Sequence, residues 1–406
     1  MKNIHPGIKE MSPRNKNTML VKLRNDSQWS SWTWQQKLRL HGKHGLTRFF
    51  PNIRRKVNEQ YIKYIKSYKI EITPYLLSLI DYDSQGNPQK NDPIWKQVSH
   101  IDLLSNVKSA DYNGVNLNWE MPEEIHYSIL HHKYPDRAII RLTDNCLGYC
   151  SYCYLAQRTL DKKRKTLSSS FQIKWNGTLE YLRKNRQIRD ILLSGGDPLL
   201  FSNRRLDQLF KDIKDIESIS TIRINTRALT FNPFRFDPEL IRIFKKYGLT
   251  ALEVHFAHPK EITQEVDDAL SLMDDIGYRP IILWRSPLLK GINDSCGILE
   301  ELLVKLYERR IVPYYLFHYA PYSPARSNLS TSVKKGVRLL SELRRKIPGI
   351  AFPRYTLFHS SGKHDIPLVQ EGTNEFKYEI LANKQYIVKF KNWKDNWVIY
   401  PDLQDN

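Results

Sequence analysis

Cysteine is scarce in this sequence, which has four in 406 residues. So few thiols exclude a disulfide framework as the basis of the fold. The sequence also lacks any run of about 18 or more apolar residues, so it contains no conventional membrane-spanning segment. Its first residues, MKNIHPGIKEMSPRNKN, have no apolar core of a secretory signal. We therefore expect a cytoplasmic protein without a membrane partner.

Acidic residues are also in deficit, with 43 Asp and Glu against 63 Lys and Arg, a net charge of +20. Such a charge permits a nucleic-acid partner or an anionic substrate. However, the densest basic runs, at 52–69 and 161–166, are short. The charge is otherwise scattered, which is typical of a solvated surface, so a nucleic-acid partner is not favoured.

Periodicity divides the chain into four segments. Residues 1–20 are polar and lack periodicity, so we expect disorder there. Residues 21–130 have a helical pattern, and residues 131–365 alternate short apolar strands with amphipathic helices. Residues 366–406 alternate apolar and polar side chains about an Asn-Lys turn, which predicts a β-hairpin cap.

The third segment predicts an α/β fold with a parallel sheet, because each strand is followed by a helix. Its hydrophobic pattern places six strands, at 138–143, 189–194, 219–225, 250–256, 280–285 and 312–318. Six such units suit a doubly wound sheet or an incomplete barrel. In both architectures functional residues lie at the carboxyl ends of the strands.

Three of the four cysteines lie within eight residues of the segment NCLGYCSYCYLAQR, directly after the first predicted strand. A structural zinc site would need four ligands, and the fourth cysteine, Cys296, is distant in sequence. Three thiolates can instead hold three irons of a [4Fe–4S] cluster and leave the fourth iron open. The candidate cluster ligands are Cys146, Cys150 and Cys153.

This C-x3-C-x2-C spacing with an adjacent aromatic residue resembles the signature of the radical S-adenosylmethionine (SAM) superfamily. The resemblance implies a partial (β/α)6 barrel, a [4Fe–4S] cluster and SAM, which is cleaved reductively to a 5′-deoxyadenosyl radical. It also implies an electron donor such as flavodoxin or ferredoxin. The turn ILLSGGDP after the second strand resembles the segment that binds SAM, which would assign that role to Ser194, Gly195, Gly196 and Asp197.

Further blocks resemble the lysine 2,3-aminomutase family, in order and at similar separations over roughly residues 29–400. They include HHKYPDRAIIRLTDNC, IRINTRAL, LLKGIND and PYYLFHYA. That family moves an α-amino group to the β-carbon of an amino acid with the help of pyridoxal 5′-phosphate (PLP). The resemblance assigns the PLP phosphate, or an anionic substrate, to four cations, namely Lys133, Arg137, Arg227 and Arg285.

Several positions depart from the family pattern. Leu155 stands where an arginine often grips the substrate carboxylate, and Ala320 and Phe358 stand where lysine-specific members carry aspartates. Lysine is therefore not the expected substrate. The lysine that binds PLP covalently would be Lys363, on a flexible loop at the mouth of the barrel, although an ungapped count back from Pro367 puts Asp365 there.

Three functions thus stay open at this point. The leading one is an aminomutase that uses PLP and acts on a small-molecule substrate, a non-lysine amino acid. The second is a relative without PLP that uses its cations for an anionic or phosphorylated substrate. The third is a basic iron–sulfur protein that binds RNA, for which a contiguous basic stripe with aromatic platforms would be needed. The sequence leaves a homo-oligomer open.

Overall fold

The computed structural model describes residues 16–50, 70–99, 121–155, 171–320, 323, 326–359, 362–368, 376–382, 386–391 and 396–401. Both basic runs and residues 1–15 of the segment expected to be disordered lie outside this part of the chain. A helix begins at Lys16, within that segment, and buries Leu20 and Leu23. The prediction of disorder was therefore wrong for residues 16–20, which are helical and of which Leu20 contributes to the core.

The N-terminal segment is helical, as expected, with one two-stranded sheet added. The strands β1 and β2 are antiparallel and span Leu40–His41 and Glu71–Ile72. Short helices begin where Ser31, Thr73 and Asp92 cap the first backbone N–H groups. The helices are α1 (Lys16–Arg24), α2 (Trp32–Lys37), α3 (Gly42–Phe49), α4 (Pro74–Ser78) and α5 (Pro93–Val98).

A ten-stranded sheet forms the centre of the described structure, and its strands follow one another in sequence order. Its members are β3 (Ile125–His126), β4 (Leu130–Tyr134), β5 (Arg137–Thr143), β6 (Asp190–Gly195), β7 (Thr221–Thr226), β8 (Ala251–Val254), β9 (Ile281–Pro287), β10 (Ile311–Phe317), β11 (Arg354–His359) and β12 (Gly362–Asp365). Strands β5 to β11 are parallel, whereas β3, β4 and β12 pair antiparallel at the two edges.

Amphipathic helices connect the parallel strands. The chain forms α6 (Phe171–Lys184), α7 (Asn203–Lys214), α8 (Ala228–Phe231), α9 (Pro238–Tyr247), α10 (Gln264–Asp275), α11 (Cys296–Glu308), α12 (Arg326–Leu329) and α13 (Val333–Leu343). Short 3-10 turns occupy Pro122–Glu124, Pro198–Leu200, Pro233–Arg235, Pro259–Glu261 and Gly349–Ala351. The helices bury their apolar faces against one face of the sheet. Side chains alternate along each strand, so every second side chain points to the inside of the barrel.

The six predicted strands are confirmed as β5 to β10, each followed by a helix, which is the expected partial (β/α)6 barrel. The prediction missed a seventh parallel strand, β11, and its antiparallel neighbour β12. The sequence of β11, RYTLFH, mixes charged and aromatic residues because both of its faces are in use, so it lacks a simple apolar pattern.

The two edges of the sheet approach each other across the barrel. The backbone N–H of Lys363, on β12, donates a hydrogen bond of 3.0 Å to the hydroxyl of Tyr134, on β4. Gly362 has a φ of +125°, and a Cβ atom there would lie 2.7 Å from the same hydroxyl. Glycine therefore allows the close approach of β12 to β4, at a contact that we call the seam.

The C-terminal segment forms the predicted hairpin and adds one strand to it. Strands β13 (Phe376–Ile380), β14 (Tyr386–Lys391) and β15 (Trp397–Pro401) make an antiparallel sheet. Among the described residues, none of the helices has the length and apolar character needed to cross a membrane.

Candidate active site

A cavity opens at the carboxyl ends of the parallel strands, and we call it the central cavity. Its wall combines the loop after β5, the Gly195-Gly196 turn after β6, and the ends of β7 to β11. All three clustered cysteines line it, whereas Cys296 does not. The cavity therefore lies where parallel α/β folds place their functional residues.

The N-terminal segment fixes the loop that carries the cysteines. The N–H and the hydroxyl of Ser151 donate hydrogen bonds to the carbonyls of Gln97 and Lys96, each 2.7 Å long. The Tyr152 hydroxyl donates to the side chain of Gln97, and Gln36 donates to the carbonyl of Leu147. These contacts hold the cysteine loop against α5 and α2.

The three thiols face one another closely enough to interact electrostatically. Burial raises the pKa of Cys146, and the neighbouring Cys153, Asp197 and Cys150 raise it further. Within the described part of the chain, no group of three or more His, Cys, Asp or Glu side chains converges on a single ion position. Three thiols that line one cavity fit a cluster, whose cysteines bind separate irons.

Arg227, predicted for the PLP phosphate, lies beneath the cysteine loop. Its Nη1 donates to the Sγ of Cys150 at 3.1 Å and to the Tyr152 hydroxyl at 2.6 Å. Its Nη2 forms a buried ion pair of 2.6 Å with Glu261. These partners occupy both terminal nitrogens of Arg227.

The predicted SAM turn lies directly against the cysteine loop. A Cβ atom on Gly196 would lie 2.0 Å from the carbonyl oxygen of Asn145, and Gly195 has a φ of +110°. These glycines therefore allow the turn to pack closely against the backbone of the cysteine loop. Both glycines also line the central cavity.

Asp197 and Ser194, the polar members of that turn, support neighbouring strands. The buried Asp197 carboxylate accepts hydrogen bonds from the N–H groups of Leu199 and Arg227 and from the Thr226 hydroxyl. Burial raises its pKa to about 6, and those hydrogen bonds act in the opposite direction. The Ser194 hydroxyl accepts from Asn225. Of the pair, only Asp197 lines the central cavity.

An ion-pair chain crosses the inside of the barrel, and sequence reasoning missed most of it. Arg223, on β7, bonds both Asp190, on β6, and Glu253, on β8. Arg285, on β9, pairs with the other oxygen of Glu253 at 2.5 Å. Burial alone would raise the pKa of Glu253, but Arg285 and Arg223 lower it. The signal in the sequence was TIRINT, where alternation puts Arg223 opposite the apolar Ile222.

Lys363 lies at the end of this chain of charges. Its Nζ is 4.6 Å from the ring centre of Tyr315 and 5.6 Å from that of Phe317. Burial lowers its pKa to about 8, repulsion by Arg285 lowers it further, and Glu253 opposes the change. Lys363 is nevertheless exposed to solvent, and screening by water weakens the repulsion.

The loop that we expected around Lys363 is a strand. Lys363 pairs with Phe358 of β11 and is not in the wall of the central cavity, although Phe317 and Arg285 beside it are. Asp365, the alternative position, forms an ion pair with Arg354 and accepts a hydrogen bond from Thr356.

The remaining predicted cations lie on the β4 side. Lys133 pairs with Glu124 at 2.5 Å, and neither residue lines the central cavity. Arg137 begins β5 and stacks over the Tyr134 ring at 4.3 Å. Arg137 is close enough to Lys363 to lower its pKa. Arg137 and Arg285 are therefore near enough to Lys363 to lower its pKa, whereas Lys133 pairs with Glu124 and Arg227 with Glu261.

The three positions that depart from the lysine-specific pattern all line the central cavity. They are Leu155, Ala320 and Phe358. Asp197 is the single acidic residue among the described cavity-lining side chains, and its carboxylate already accepts three hydrogen bonds. Apolar surface thus occupies the region where a lysine-specific enzyme would carry acids.

Comparison with known proteins agrees with this architecture. Residues 140–295 match the Radical SAM superfamily. The L-lysine 2,3-aminomutase of Clostridium subterminale is 32% identical over 357 residues, which cover 87% of this chain and 82% of that protein. The L-lysine 2,3-aminomutase of Acetoanaerobium sticklandii is 31% identical over 378 residues, with 92% and 87% covered.

A relative named for another substrate is also similar. The glutamate 2,3-aminomutase of Clostridioides difficile is 27% identical over 378 residues, which cover 91% of this chain and 84% of that protein. The similarities span both the N-terminal segment and the barrel, and the superfamily match includes the cysteine loop. The chain therefore belongs to the lysine 2,3-aminomutase family of radical SAM isomerases, enzymes whose chemistry depends on a [4Fe–4S] cluster and SAM.

Proposed function

We propose that this chain is an aminomutase that moves an amino group between the α and β carbons of an amino acid other than lysine, with PLP attached to Lys363. Cys146, Cys150 and Cys153 would hold the cluster, and the Ser194–Asp197 turn beside them would contact SAM. The cluster and SAM would supply the radical, and the pyridine ring of PLP would stabilise it. The electrons would come from a donor such as flavodoxin or ferredoxin.

The position of Lys363 carries this proposal. A lysine attacks an aldehyde as the neutral amine, and a pKa lowered to about 8 increases the neutral fraction near neutral pH. Asp365 is less suited to the position because Arg354 and Thr356 engage its carboxylate. Lys363 therefore supports a shifted alignment of the β11–β12 turn relative to the family pattern.

A phosphate group near Lys363 would meet cations from three strands. Arg137, Arg223 and Arg285 are the cations that lower the pKa of Lys363. Guanidinium groups suit a phosphate because they offer paired N–H donors. We therefore replace the sequence-based set of phosphate ligands with these three, and assign Arg227 to the cysteine loop. Lys133 is paired with Glu124 and is not among the cations that lower the pKa of Lys363.

The experiment is borohydride trapping on protein that has been reconstituted anaerobically with iron, sulfide and PLP. We expect PLP to be fixed to the peptide that contains Lys363, and the Lys363→Ala variant to lose this adduct while keeping its cluster. Upon reduction, the native protein should cleave SAM to 5′-deoxyadenosine. An adduct that is absent, or found only on other lysines, would refute the covalent role of Lys363.

A second candidate function rests on Asp365. An ungapped alignment from Pro367 puts this acid where the family has its lysine. In that case the chain would be a family member that does not use PLP, and Arg137, Arg223 and Arg285 would bind an anionic or phosphorylated substrate directly. SAM cleavage together with no PLP adduct at any lysine would favour this reading.

A further inference from the structure

Three aromatic side chains form a stack along the wall of the central cavity. The rings of Tyr154 and Phe358 are 5.7 Å apart at 18°, and those of Phe358 and Phe317 are 4.3 Å apart at 26°. All three line the central cavity. We call Tyr154, Phe358 and Phe317 the aromatic stack.

The stack joins the two parts of the site that a substrate must reach. Tyr154 directly follows the cluster ligand Cys153, and Phe317 lies 5.6 Å from the Nζ of Lys363. A substrate that reacts with a radical made beside the cysteines, and is held by PLP next to Lys363, would lie along these rings. Its side chain therefore contacts the aromatic stack.

The geometry of the stack disfavours a charged side chain. Phe358 lies between two nearly parallel rings, so the surface that it gives to the cavity is mainly its rim. The rim of an aromatic ring carries partial positive charge, whereas its face attracts cations. Such a surface suits hydrocarbon groups and other rings, and it offers an ammonium group no attraction.

The charges around the cavity lead to the same conclusion. A distal ammonium would find Asp197 as the one acid of the described wall, and that carboxylate is already bonded to Leu199, Thr226 and Arg227. A distal carboxylate would find Arg227 paired with the buried Glu261, and Arg285 paired with Glu253 and, under the proposed function, committed to the PLP phosphate. A charge without a partner at such a site is costly, so the described part of the wall favours neither kind of side chain.

We infer that the substrate is an amino acid with a large apolar or aromatic side chain, bound against the aromatic stack. This inference rests on the proposed function, because it places the substrate between the cysteines and Lys363. The specificity-determining residue is Phe358, the middle ring, with Ala320 on the same wall.

Equilibrium dialysis measures binding independently of turnover. The protein is loaded with cluster, PLP and SAM, without reductant, and dialysed against labelled L-phenylalanine, L-leucine, L-lysine or L-glutamate. We expect the two apolar amino acids to bind at least about tenfold more tightly than the two charged ones, a difference of about 1.4 kcal/mol. Equal or tighter binding of lysine or glutamate, or no binding of any amino acid, would overturn the inference.

Variants locate the preference on the stack. Phe358→Asp should reduce the phenylalanine-to-lysine ratio at least about tenfold, because it introduces an acid and removes a ring. Phe358→Leu should keep the apolar preference. Phe352→Leu, which lies outside the cavity against Arg344, is the control and should change nothing. If Phe358→Asp does not take up iron, Ala320→Asp provides the same test.

A failure of the proposed function would give a different experimental result from a failure of the inferred substrate preference. Reduction of the same loaded protein with each amino acid, followed by measurement of 5′-deoxyadenosine, reports the radical step alone. Apolar binding without any 5′-deoxyadenosine would refute the aminomutase and leave the specificity intact. 5′-Deoxyadenosine formation that depends on lysine or glutamate alone would refute the specificity and leave the radical enzyme intact.

Discussion

At the scale of single residues, the cysteine loop shows how few contacts define this site. Asn145 precedes the first cysteine, and its carbonyl accepts a 2.8 Å hydrogen bond from the N–H of Asp197. The same carbonyl lies where a side chain on Gly196 would have to be. The thiols are therefore positioned by backbone contacts between two loops, and these contacts tolerate little change.

Replacing the clustered cysteines one at a time should abolish cluster binding. Cys146→Ala, Cys150→Ala and Cys153→Ala each remove one of the three thiols that line the central cavity. Cys296→Ala is the matched control, because Cys296 begins α11 and interacts with Glu342 instead. Iron and sulfide analysis after anaerobic reconstitution measures the result. Full iron content in any of the first three variants would contradict the assignment.

Two glycine substitutions should have opposite effects on stability. Gly196→Ala places a methyl group 2.0 Å from the carbonyl oxygen of Asn145, and we expect a loss of about 1–3 kcal/mol in the free energy of unfolding, with lower iron content. Gly297→Ala, in α11, meets no atom within 4 Å and should stabilise the helix by up to about 1 kcal/mol. Anaerobic urea titration compares them, and equal effects would show that crowding at Gly196 is unimportant.

At the scale of elements, the sequence predicted what depends on local periodicity. Strands β5 to β10 have apolar residues at regular intervals, and each was placed within about two residues at either end. The β11–β12 hairpin was missed because its residues contact partners that are distant in sequence, and local periodicity does not reveal such contacts. Lys363 is one example, since Tyr134 and Tyr315 are its contacts.

The candidate site likewise contains residues that the sequence could identify and residues that it could not. The cysteines and the Gly-Gly turn were visible as motifs, because loop and ligand residues are adjacent in sequence. The ion-pair chain was not visible, because Asp190, Arg223 and Glu253 come from three separate strands. Arg227 was singled out as a ligand of the PLP phosphate or of an anionic substrate, and only the fold could show that it contacts Cys150 and Glu261.

The seam between β4 and β12 gives a prediction at this scale. Tyr134→Phe removes the hydroxyl that accepts the N–H of Lys363. A net hydrogen bond is worth about 0.5–1.5 kcal/mol, so we expect the Lys363 amide to exchange with deuterium roughly 2- to 10-fold faster. Tyr278→Phe removes a comparable tyrosine hydrogen bond, to the carbonyl of Leu249, and is the control. The same exchange rate in both variants would mean that the seam does not depend on this contact.

At the scale of the whole molecule, the net charge of the chain does not indicate the chemistry of its central cavity. The net charge of +20 belongs to the entire chain, whereas the cations inside the barrel are offset by partners: Arg223 by Asp190 and Glu253, and Arg227 by Glu261. A strongly basic composition therefore says little about the substrate here. The internal surface decides specificity, and at the aromatic stack that surface is apolar.

The contacts between α5 and the cysteine loop have a consequence for modularity. A typical barrel carries its functional loops on its own strands and can be exchanged as a unit. Here the barrel supplies the thiols, but Lys96 and Gln97, from the preceding segment, anchor Ser151 and Tyr152 between them. A barrel transplanted without its N-terminal segment would keep the cysteines and lose the contacts that align them. Iron binding therefore depends on two parts of the chain, and evolution must keep them together.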